Sequence, residues 1–188
     1  MSSPCGPQHA PAGDVGAALL MIDSRLRSIY EGTSESYEGT SESATKAEQR
    51  ELMQHFTSSM GPRSVHDLLD GACTLIYMYM TWLRQAHEEH DKDVIEYVVP
   101  PLVASMRVMT RSIRPEAIPT MAGLVIAAGT GLSPSLWRQQ YGEWTEAEMT
   151  PLEATCFLLA EHINRITEDR EFATRLITDA LTRAEEEL

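Results

Sequence analysis

Residues 64–90 read SVHDLLDGACTLIYMYMTWLRQAHEEH, and this stretch decides the fold class. Val65, Leu69, Ala72, Ile76, Tyr79, Leu83, His87 and His90 recur at steps of three and four, the spacing of one helical face. Between Cys73 and Leu83 the other faces are apolar as well, through Leu75, Tyr77, Met78, Met80 and Trp82. A helix that is apolar all round belongs inside a fold, wrapped by others. The pattern therefore predicts a central helix over about 64–90.

The flanking sequence supplies the wrapping helices. Upstream, Asp14 can cap a helix whose inward residues are Leu19, Ile22, Leu26 and Ile29, ending at Tyr30. The heptapeptide YEGTSES then occurs twice in tandem, over 30–36 and 37–43. One apolar residue and one glycine per unit cannot build an apolar seam, so 31–44 is expected to be a polar, acidic linker. Thr45-Lys46-Ala47-Glu48 has capping-box spacing and precedes Leu52, Met53 and Phe56, which predicts a further helix running to Gly61-Pro62.

Downstream, Val94, Val98, Leu102, Met106 and Ile113 continue a helical pattern across Pro100-Pro101. Proline inside a helix removes a hydrogen bond, so a kink or break is expected near Val99. A segment from Pro115 to Gly129 follows, then a short helix from Ser133-Pro134 with Leu136 and Trp137. Thr150-Pro151-Leu152-Glu153 is expected to launch the next helix, and Thr167 the last. No stretch alternates at period two. The expected fold is all-α, an irregular bundle of seven or eight helices, with residues 14–188 as a single domain. The Pro- and Gly-rich residues 1–13 are expected to form a disordered, flexible tail with Cys5 exposed, whereas Cys73 and Cys156 lie on apolar helical faces and should be buried.

The 188 residues carry 28 acidic and 15 basic side chains, a net charge of −13. Binding to nucleic acid needs clustered Lys and Arg, so direct contact with nucleic acid is not expected. The longest apolar run, 121–132, is broken by glycines and falls short of the roughly 20 residues that span a bilayer, so no membrane association is expected. Three scattered cysteines make no disulfide framework, and the first residues have neither a basic start nor an apolar run, so the expected location is the cytoplasm.

Catalytic motifs are absent: there is no Gly-x-Ser-x-Gly elbow and no phosphate-binding Gly-rich loop ending in Lys. No catalytic residue and no cofactor is implied. His87 and His90, three apart on one helical face, could share a metal if His162 supplied a third ligand. The plainer reading is that these histidines form the wet edge of the apolar stripe. Glu88, Glu89, Asp91, Asp93 and Glu96 read as a solvated corner between helices, with Asp91 or Asp93 as a cap. Arg107, Arg111 and Arg114 would project within about 60° of one another on a straight helix, the one local basic stripe of an acidic chain. They are candidate partner-binding residues, weighed against an exposed face whose arginines pair with neighbouring acids.

The expected function is an acidic helical protein that works through protein–protein contact, with another protein or with itself, in a regulatory or scaffold role. The alternative is a helical small-ligand or metal binder, or an enzyme, with a pocket near the C-terminal end of the central helix, lined by Tyr77, Tyr79, Trp82 and His87.

Overall fold

The computed structural model describes residues 4–34 and 62–187, and among them every regular element is helical. The elements are α1 (Val15–Ser34), α2 (Pro62–Glu88), α3 (Val94–Val108), α4 (Ile118–Gly129), α5 (Pro134–Gln139), α6 (Glu146–Thr167) and α7 (Phe172–Glu186), with single 3-10 turns at Pro7–His9 and Pro115–Ala117. The all-α bundle expected from the apolar periodicity is the fold. The expected helix through Leu52, Met53 and Phe56, and the linker beyond Ser34, lie outside the described residues.

The centre is α2, which packs against each of the other six helices. Leu75, Ile76, Tyr79, Met80 and Leu83 have no exposed surface. Each such side chain contributes about 1.5–3 kcal/mol by leaving water, so this one helix organises much of the core. The same buried cluster takes in Ile22 and Leu26 of α1, Met106 of α3, Met121 and Leu124 of α4, Leu159 and Ile163 of α6, and Ile177 of α7. The helix stops at Glu88, two residues before the expected end, because the turn after it needs a left-handed residue, Asp91 (φ 55°). Asp93 then caps α3 by accepting from the amides of Ile95 and Glu96.

Several boundaries differ from the sequence reading, each for a local reason. α1 continues four residues past Tyr30 into the first copy of the repeat. α3 runs through Pro100 and Pro101 without a break. Both prolines and the preceding turn at Glu96 and Tyr97 are exposed, so water can satisfy the carbonyls that lose their helical donors. α6 starts at Glu146, five residues ahead of Pro151, because Thr145 and Glu148 form a reciprocal capping box.

Residues 4–13, in the segment expected to be a flexible tail, lie on the domain. The Ser133 amide donates to the Cys5 carbonyl (2.8 Å), the Thr74 hydroxyl to the Ala12 carbonyl (2.8 Å), and the Asp14 amide to the Asp67 carbonyl (2.7 Å). Gly13 (φ 64°) and Gly71 meet where this segment crosses α2, and a Cβ on either would collide with the other strand's backbone. Cys5 is buried at the start of this segment, where its carbonyl accepts from the Ser133 amide and its Sγ accepts from Gln140 Nε2. The expectation of an exposed Cys5 thiol is therefore corrected.

Candidate functional site

The Arg107–Arg114 segment is not a helical stripe. α3 ends at Val108, and the chain passes through tight turns: the Ser112 and Ile113 amides both donate to the Met109 carbonyl, and the Ala117 amide to the Arg114 carbonyl. Buried Met106, Ile113 and Ala117 anchor the inner side of this segment. The Arg25 guanidinium, paired with Glu153 at 2.9 Å, also donates to Ser112 Oγ and ties the segment to α1 and α6. Arg107, Val108, Thr110, Arg111, Arg114, Pro115 and Glu116 form the outer side, all exposed. Their formal charge is three arginines against one glutamate, 3 − 1 = +2. Among the described residues none of the three arginines makes an ion pair, so the expected neutralisation by neighbouring acids is not what holds them. Val108, between them, is 79% exposed.

The histidines do not assemble as a metal site. His87 and His90 each turn Nδ1 back onto a carbonyl one helical turn earlier, Leu83 (2.7 Å) and Ala86 (3.0 Å), which satisfies the frayed end of α2. His162 is close enough to His87 for their charges to repel. Arg165 donates to His162 Nδ1 at 3.0 Å, and arginine has only donors, so in the neutral ring the proton sits on Nε2. That nitrogen is buried without a partner among the described residues. A protonated Nε2 beside a guanidinium is the wrong donor for a cation. Among the described residues no three His, Cys, Asp or Glu side chains stand where they could hold one ion, and His87, His90 and His162 are no exception. Burial, then Arg165, then His87, hold the His162 pKa below its ordinary value.

The two core thiols are equally unsuited to chemistry. Burial, followed by Cys156 and Asp70, pushes the Cys73 thiol well up, and burial followed by Glu153 pushes up Cys156. A thiol kept protonated is a poor nucleophile. Tyr79, proposed as a pocket wall, is wholly buried, while Trp82 packs on Phe172 and His87 on Tyr97. A cavity of about 280 Å³ lies between the last turns of α1 and the α6–α7 turn, lined by Asp23, Leu26, Arg27, Tyr30, Glu31, Arg170 and Glu171. Arg27 is already paired with Asp23 (2.9 Å), and Arg170 lies over the Tyr30 ring. The expected acidic corner is exposed throughout.

Arg138 centres a buried polar assembly that the sequence reading missed. Arg138 of α5 is 5% exposed and grips Glu148 with two bonds (3.0 and 2.7 Å), while also donating to the carbonyls of Gly142 and Glu143. It fixes the α5–α6 loop. The capping-box spacing at Thr145 was readable; the arginine ten residues earlier carried no signal.

No known protein family matches the chain, and no curated protein or solved structure is similar to it. Among the described residues, no helix is long and apolar enough to cross a membrane.

Proposed function

We propose that this chain is a cytoplasmic helical protein that acts by binding another protein, in a regulatory or scaffold role, and not by catalysis. One observation carries the reading: the outer side of the last turn of α3 and of the turns that follow it presents three arginines without ion-pair partners among the described residues, around a 79% exposed valine. Exposed cations in a chain of net charge −13 gain from pairing with the acids around them, and here that gain is left for a partner. The turn is anchored by buried side chains, so it is presented with little ordering cost on binding.

The test compares capture from lysate of the producing cells by the wild type, by Val108→Asp and by Leu20→Asp. Leu20 is 70% exposed on α1 and serves as the control. The reading expects a defined protein held by the wild type and by Leu20→Asp, and lost with Val108→Asp. A strictly monomeric chain with no partner, or an identical set of captured proteins for all three, overturns it.

A further inference from the structure

We infer that the partner of the Arg107–Arg114 turn is a carboxylate-rich protein segment carrying an apolar side chain that seats on Val108. This rests on the interaction reading above and names the chemistry on the other side. Arg107 at the end of α3 and Arg111 and Arg114 in the turns after it are all exposed, while Met106, Ile113 and Ala117 of the same segment are buried. Arginine forks recognise carboxylate and phosphate alike. A built site for a single phosphate would enclose its donors, and all three arginines are exposed, with no buried arginine or lysine beside them in the segment 107–117 among the described residues. Carboxylates spaced along an extended segment match charges spaced along the turn.

Long-range charge separates the possible anions. Screening limits the reach of an exposed charge to about 8–10 Å at physiological ionic strength. A short acidic segment laid on the turn meets the local +2 face. A bilayer or a nucleic-acid duplex is extended and must also approach the rest of a chain whose net charge is −13. The exposed Val108 adds an apolar contact that an acidic peptide with one hydrophobic side chain satisfies and a phosphate does not.

The test uses fluorescence anisotropy on the full chain, with a short labelled peptide of Glu and Asp around a central Leu. Each exposed charge pair is worth a factor of about 1.5 to 5, so replacing Arg107, Arg111 and Arg114 together by Gln should weaken binding about tenfold. Binding should also weaken with added salt and with Val108→Ser. Arg183→Gln, at an exposed arginine on α7, should change nothing. The matching Gln/Asn peptide should not bind. Vesicles of phosphatidylserine and phosphatidylcholine should not bind either, and inorganic phosphate should not displace the peptide at concentrations where its ionic strength is matched by chloride. Absence of salt-dependent peptide binding, full binding by the triple variant, or preference for vesicles or phosphate overturns the inference. If the peptide fails while the lysate partner still depends on Val108, the acidic-partner inference falls and the interaction reading stands. If both fail, both fall.

Discussion

Replacing Arg138 by alanine tests how the structure holds its second half together. The side chain of Arg138 is 6% exposed and that of Glu148 is 12% exposed, so the pair is largely out of water. Removing one partner of a buried pair costs about 3–5 kcal/mol, because the other charge is left uncompensated. Glu148 would keep its two bonds from the Thr145 amide and hydroxyl (2.9 and 2.8 Å), which argues for the lower end. The lost stacking of Arg138 over Trp144, 5.0 Å to the ring centre, adds a smaller packing term. The expected loss is about 3 kcal/mol, or a fall in Tm of roughly 6–12 °C for a chain of this size. Urea unfolding followed by circular dichroism measures it, with Arg175→Ala as the control for an exposed pair. The two variants differing little in stability would refute the reasoning. A pH series adds a second check. Burial raises the Glu148 pKa, but the bonds from Arg138 and then Thr145 outweigh it and hold the carboxyl below its ordinary 4.5. The folded value is the lower one, so this stability is present above about pH 4.5 and is lost as pH falls through the folded value. The gap between wild type and Arg138→Ala should therefore narrow in acid.

Three further outcomes follow from single observations. Tyr79 Oη is buried without a partner among the described residues, so Tyr79→Phe should be neutral or stabilising by up to about 1 kcal/mol in the same urea assay. The lowered His162 pKa means the folded state resists protonation: its contribution is present above about pH 6.5 and is lost as pH falls through the folded value. An NMR titration should place His162 below 6.5, and Arg165→Gln should move it up. Gly71→Ala should push the Asp14 carbonyl away from α2, costing about 1–3 kcal/mol in the same urea assay.

What the sequence made legible was periodic and local. The apolar faces of α2 set the fold class, and Asp14 read correctly as a cap, with Asp93 one of the two candidates for the next, because a cap acts on amides two or three residues away. What was not legible depended on distant partners or on solvent. Pro100 and Pro101 are tolerated because their side of α3 faces water, and a proline count cannot show that. Cys5 is buried through Ser133 and Gln140, the latter 135 positions away. The arginine stripe depended on α3 continuing past Val108, and buried Ile113 is instead reached by a turn. His87 and His90 lie at ligand spacing, but each spends Nδ1 on its own helix end, and only contact with Arg165 shows which His162 nitrogen carries the proton.

Photo-crosslinking in the producing cells, with benzoylphenylalanine placed at position 108 in one strain and at position 20 in another, tests most directly whether the chain works through this turn. The account predicts one dominant protein adduct from position 108, abolished when Arg107, Arg111 and Arg114 are changed to Gln, and no matching adduct from position 20. No adduct at 108, or the same adducts from both positions, would contradict it.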